Sequence, residues 1–110
     1  MRGRSVAELL SLPIRLHGIE LGRPVEILVD AVADRVLGFE IRCGDGAQRF
    51  LAFPVADLRA DEITLGSALA LIDERDLEFY RRRSRRLHEL GYADPWIDDD
   101  GRIHEARSAA

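Results

Sequence analysis

A mainly β fold is predicted for this chain, and three observations predict it. Between residues 13 and 73 apolar residues recur at every second position in short runs, glycine-bearing segments punctuate those runs, and a three-to-four-residue apolar spacing appears only afterwards. Period two places alternate side chains on opposite faces of a strand, whereas the later spacing lines up one face of a helix. Five or six short runs at nearly regular spacing predict a small barrel or sandwich of antiparallel strands. The chain divides accordingly into a lead-in (1–12), a β domain (13–73), an amphipathic helix (74–91) and an acidic C-terminal extension (92–110).

In the lead-in, Ser5 stands three residues before Glu8 and ahead of Leu9 and Leu10, the spacing of a capping box, and Pro13 ends any helix begun there. The first strand begins at Ile14 and alternates to Leu16, where Gly18 marks a bulge or a close backbone approach. A first turn is expected at Gly22-Arg23-Pro24, because glycine accepts positive φ and proline donates no hydrogen bond. Residues 25–33 then alternate with apolar residues on both parities, as in a strand covered on two sides. Next, Leu37, Phe39, Ile41 and Cys43 share one parity, with Glu40 and Arg42 on the other. Gly44-Asp45-Gly46 signals a hairpin into an antiparallel strand over residues 48–54, and shorter runs lie on either side of Gly66. Phe39, Ile41, Leu51 and Phe53 are the expected core.

These segments resemble the PRC-barrel family. Leu16-His17-Gly18 matches its leading hydrophobic-x-Gly unit, Ile27-Leu28-Val29-Asp30 its apolar strand ending in Asp, Val36-Leu37-Gly38-Phe39-Glu40-Ile41 the strand after it, and Arg49-Phe50-Leu51-Ala52-Phe53-Pro54 its Arg-aromatic-Leu-x-x-Pro strand. The resemblance covers a little over half of the chain. It implies a small PRC-type β-barrel, as in the cytoplasmic domain of the photosynthetic reaction-centre H subunit and the C-terminal domain of a ribosome-maturation factor. Those contexts imply docking on other macromolecules, with no catalytic residues to carry over.

The chain has 110 residues, all sixteen of its basic residues are Arg, Lys and Asn are absent, and the net charge is −4. An acidic balance opposes general nucleic-acid affinity, which wants a basic surface. The arginine usage reads as the imprint of a GC-rich genome. One cysteine, Cys43, excludes an internal disulfide and reads as a small core hydrophobe. No apolar run approaches membrane-spanning length, and the start lacks the apolar centre of a signal peptide, so a cytoplasmic protein is expected.

Asp73 precedes Glu74-Arg75-Asp76 as an N-cap, and Gly91 follows Leu90, which predicts a helix over residues 74–90. Leu77, Tyr80, Ser84 and Leu87 form its apolar stripe. A stripe outside the family core offers a surface for a homodimer. Arg81-Arg82-Arg83-Ser84-Arg85-Arg86 follows within the same helix, and its candidate partner-binding residues are Tyr80, Arg81, Arg82, Arg85 and Arg86. Three readings of this run remain. It is a solvated face favoured by the helix dipole, a docking patch for an acidic protein or the chain's own acidic tail, or an RNA contact in which Tyr80 stacks and the arginines meet phosphates. Exchanging Arg81, Arg82, Arg85 and Arg86 for Glu is expected to leave the fold intact, since exposed ion pairs contribute only about 0.3–0.5 kcal/mol each.

Other signatures fail on inspection. Asp98-x-Asp100-Gly101 resembles the middle of a calcium loop, but Trp96 and Arg107 would stand at its first and last ligand positions, so a turn between Trp96-Ile97 and Arg102-Ile103 is the reading. Gly44-x-Gly46 lacks the third glycine of a dinucleotide loop, no Gly-x-Ser-x-Gly elbow occurs, and His17, His88 and His104 are scattered. No catalytic constellation, cofactor or metal is implied. A non-enzymatic protein-interaction module is the expected function, with an RNA- or ribosome-associated assembly factor as the alternative.

Overall fold

The structure, a computed structural model, describes residues 3–105. The last five residues of the acidic extension and the first two of the lead-in lie outside the described residues. In chain order the strands are β1 (Gly3–Ser5), β2 (Ile14–Leu16), β3 (Ile19–Asp30), β4 (Val36–Cys43), β5 (Gln48–Ala52), β6 (Asp57–Leu58), β7 (Ile63–Thr64), β8 (Leu71–Ile72), β9 (Ser84–Arg86), β10 (Trp96–Asp98) and β11 (Ile103–His104). Helix α1 (Val6–Ser11) lies between β1 and β2, and α2 (Glu74–Arg82) between β8 and β9. The fold is mainly β, as the alternation predicts, with 46% strand against 24% helix.

The large sheet runs β6-β7-β2-β3-β4-β5-β8, and β9 is also paired to β3. Its two ends, β6 and β8, do not pair with each other, so the closed barrel expected from the sequence is not formed. The end strands β6, β7 and β8 have two residues each, which is too little ladder to close a sheet, and other elements cover the open side. Val6, Leu9 and Leu12 from α1 and its C-terminal end, together with Ile97 from β10, enter the main core beside Ile27, Phe39, Ile41 and Leu51. Ser5 accepts the Glu8 N–H and so starts α1 as its capping spacing predicts.

Helix α2 covers the other face. Leu77 packs there with Leu28 of β3 and Phe50 of β5 in a second cluster, which explains why residues 27–29 are apolar on both parities. Strand β3 itself differs from expectation at both ends. The turn falls at His17-Gly18, with φ of 50° and 81°, so that Leu16 faces Ile19, while Gly22-Arg23-Pro24 is strand interior. Gly22 serves a close approach there: a Cβ would stand 2.4 Å from the Arg42 carbonyl oxygen. A register shift between Pro24 and Glu26 accommodates the residue that lacks an N–H. At the far end the strand stops at Asp30, whose Oδ1 accepts the Val32 and Ala33 N–H groups at 2.7 and 2.8 Å. A second shift brings Val36 opposite Val29, so Val36 enters the main core and Leu37 turns to the α2 side, against the parity read from sequence. Phe53 is only half-buried because it opens a 3-10 turn instead of extending β5.

The remaining hairpin, β10-β11, forms where the Trp96-Ile97 and Arg102-Ile103 reading puts it, and β1 completes a three-stranded sheet with it. Asp98, buried, closes its turn: Oδ1 accepts the Asp100 and Arg102 N–H groups and Oδ2 accepts Nε2–H of His104 at 2.9 Å. The hydrogen bond from His104, followed by those from the backbone, holds this carboxyl below its ordinary range despite burial. A folded-state pKa below the unfolded one gives stability that is complete above about pH 4 and is lost as pH falls through the lowered value. The urea midpoint is therefore expected to drop below about pH 4 more steeply in the wild type than in Asp98→Asn, a difference read by denaturation at a series of pH values.

Candidate functional site

The sequence places five candidate residues on one helix, and the structure divides them. Helix α2 ends at Arg82; Arg83 donates its N–H to the Tyr80 carbonyl, Ser84 Oγ donates to the Arg81 carbonyl, and the chain then enters β9. Strand β9 pairs antiparallel with the end of β3, Leu28 with Arg86 and Asp30 with Ser84, and a 3-10 turn over Leu87–Leu90 follows. The continuous helix over 74–90 is thus overturned by tertiary pairing. Strand β2 covers the edge of β3 opposite β4 only as far as Gly22, β9 takes the far part of that edge, and its hydrogen bonds there replace those a longer helix would make. The break also splits the apolar stripe, since Leu77 is buried under α2 while Leu87 is buried in the main core. The surface on which a homodimer was expected is consumed within the chain.

Each candidate has its own environment. The Tyr80 ring stacks on Phe50 at 4.2 Å and 13° and meets Phe79 edge-on at 5.2 Å, so it is a packing residue and not a free stacking platform. Arg81 reaches across to β4 and β5: Nε donates to Glu40 Oε1 at 2.9 Å, and Nη2 donates to Glu40 and, at 2.8 Å, to Gln48 Oε1. Glu40 is 3% exposed, and its hydrogen bond is the main reason the Arg81 guanidinium is held above its ordinary value. Arg82 points into solvent with Glu78 at 4.0 Å. Arg86 has Glu89 at 4.0 Å, and Arg85 has no carboxylate within 4.0 Å among the described residues. None of the acids of the described extension pairs with the run, so the acidic tail is not its intramolecular partner there. The four arginines are therefore not interchangeable, and the expectation that all can become Glu without harm to the fold fails at Arg81.

Three of the five, Arg81, Arg85 and Arg86, line one groove of about 490 Å³ between the end of α2, β9 and Glu89-Leu90, with Leu28 at its base. Beside this groove lies the outer edge of β9, which among the described residues pairs only with β3. Arg83, between them, lies over the Phe79 ring at 3.6 Å and donates to the Phe79 carbonyl.

Sequence reasoning missed two histidine pairs. Glu26 is buried on β3, its Oε1 meets Nδ1 of His88, and its Oε2 accepts the Ile27 N–H at 3.1 Å. His104 is held by Asp98 and stacks on Trp96 at 4.2 Å. Alternation in the 96–104 segment could have signalled the second pair; nothing in the sequence links residues 26 and 88. Among the described residues no group of three His, Cys, Asp or Glu is placed to hold a metal ion, and no helix is long and apolar enough to cross a membrane. No protein-family model matches the chain, and no curated protein matches it.

Proposed function

We propose that this protein is a non-enzymatic docking module, built on a PRC-type β fold and acting in the cytoplasm, that takes an extended acid-bearing polypeptide along β9. The carrying observation is the coincidence of a strand edge that is unpaired among the described residues with Arg85 and Arg86 beside the same groove. An open edge presents N–H and C=O groups to an added strand, and flanking arginines select acidic side chains on it. A second copy pairing at this edge would bring β9 arginines against each other, and like charges directly opposite are unfavourable. The PRC-type reading draws support from β3, β4 and β5, adjacent antiparallel strands that carry three of the segments the resemblance rests on.

The alternative, an RNA- or ribosome-associated factor using this run, has Arg85 in its favour. Against it stand the stacked Tyr80, which offers no free ring face to a base, and the carboxylates within 4.0 Å of Arg81 and Arg82. Fluorescence anisotropy separates the two readings. A labelled peptide alternating Glu and Val is expected to bind with a micromolar constant, to lose binding when its backbone is N-methylated, and to weaken about tenfold or more against Arg85→Glu/Arg86→Glu. Single-stranded RNA binding that falls steeply with salt, with no peptide binding, would replace this reading by the alternative.

A further inference from the structure

At the end of the molecule formed by the β3-β4 loop and the β10-β11 hairpin, Arg35 and Arg102 are direct cross-strand partners in an isolated antiparallel bridge. Directly opposite residues hold their Cβ atoms only about 5 Å apart on the same face, and like charges placed so are destabilising. Both side chains are exposed, and among the described residues neither guanidinium has a carboxylate within 4.0 Å. The pair is nevertheless held in place: Gly101 accepts the Val36 N–H, Arg102 accepts the Asp98 N–H, and Asp98 Oδ1 accepts the Arg102 N–H.

Two residues beyond Arg102, and so on the same face of the strand, stands His104. Its Nε2–H is given to the buried Asp98, which fixes the ring and leaves Nδ1 free of that carboxylate. The ring is fixed further by stacking on Trp96, its cross-strand partner. Trp96 is covered on another side by Gly3, where a Cβ would come within 2.0 Å of the indole, so it backs the His104 ring and is not a surface for a nucleobase. Arg35, Arg102 and His104 line one cavity of about 360 Å³ together with Ala33, Asp34 and Ile103. Asp34 is its one acidic lining residue, in a left-handed conformation at φ 59°.

We infer that this cavity is a binding site for a phosphate group, free or carried by a small ester, with Arg35 and Arg102 as its cationic fork and His104 as the positioned third partner. Two arginines set directly opposite each other become complementary once a dianion lies between their guanidiniums. Nδ1 of His104 serves either state of the ligand, as a donor when the ring is protonated and as an acceptor from a P–OH group when it is neutral. An arrangement that breaks the local charge rule is what a ligand site looks like without its ligand. The site is independent of the β9 edge.

The chain has a single tryptophan, Trp96, whose ring stacks on His104 of this cavity, so its fluorescence follows changes at the His104 ring. Inorganic phosphate and glycerol 2-phosphate are titrated at constant ionic strength, with sodium chloride as the control. Saturable one-to-one binding is expected, weakened about tenfold or more in Arg35→Gln and in Arg102→Gln. The melting temperature of each variant is expected to equal or exceed that of the wild type, because a repulsion is removed. Tighter binding of the ester than of inorganic phosphate identifies an ester as the ligand, and weaker binding of the ester identifies free phosphate. The inference is overturned by no saturable response to millimolar phosphate or by an equal response to chloride. It is equally overturned by unchanged binding in both variants, or by a fall in their melting temperature, which would make the arginine pair structural.

Discussion

Replacing Phe39 with alanine is expected to cost about 3–5 kcal/mol and to lower the melting temperature by on the order of 15 °C. The ring is completely buried in the centre of β4, opposite Ile27 of β3 on one side and Leu51 of β5 on the other, and it lies 6.5 Å from the Phe53 ring. Three strands and the α1 side of the core converge there, so the space left by the ring has no mobile element to collapse into it. A domain of this size holds only about 5–15 kcal/mol in total, and one such cavity threatens the fold. Thermal melting by circular dichroism decides the matter. A variant melting within a degree or two of wild type would place Phe39 outside the core.

Arg81→Ala is expected to cost about 2–3 kcal/mol, against about 0.5 kcal/mol or less for Arg82→Ala one position along. Removing the Arg81 guanidinium strands the Glu40 carboxylate, which is 3% exposed and has Arg81 as its ion-pair partner. Loss of one member of a buried pair is costed at about 3–5 kcal/mol; the Arg81 side chain is itself a third exposed, so water reaches the site and the cost is lower. Arg82, its side chain three-quarters exposed and 4.0 Å from Glu78, leaves no buried charge behind. Adding Glu40→Gln to Arg81→Ala is expected to restore most of the loss, because a neutral amide needs no counter-charge. Urea denaturation of the three variants measures this. Equal midpoints for Arg81→Ala and Arg82→Ala would mean that the Glu40 pair contributes nothing.

Much of the fold was legible in the residues because it depends on local chemistry. Alternation in residues 36–43 and 48–52 gives two strands whatever surrounds them, Gly44-Asp45-Gly46 turns the chain between them, and Ser5 with Glu8 starts a helix through its own hydroxyl. Even the covering of β3 on both faces shows in the apolar residues of both parities at 27–29. Of the candidate site, the sequence identified the arginines as a group but not their separate roles. That Arg81 anchors Glu40 requires residues forty-one apart to meet, and no periodicity within one segment records it.

What the sequence determined by itself is the mainly β character, the central antiparallel strands and, of their core, Phe39, Ile41 and Leu51. Tertiary structure decided the rest, wherever two local preferences were nearly equal in energy. The segment from Ser84 to Arg86 has helical spacing, yet the edge of β3 left open by β2 offers it backbone hydrogen bonds and Leu87 a place in the main core, and these outweigh about two further helical turns. The same competition keeps the sheet open. Strands of two residues cannot close a barrel, and α1 and the β10-β11 hairpin bury the apolar surface that closure would have covered. The opposition of Arg35 and Arg102 likewise exists only because a loop and a hairpin sixty-seven residues apart are brought edge to edge.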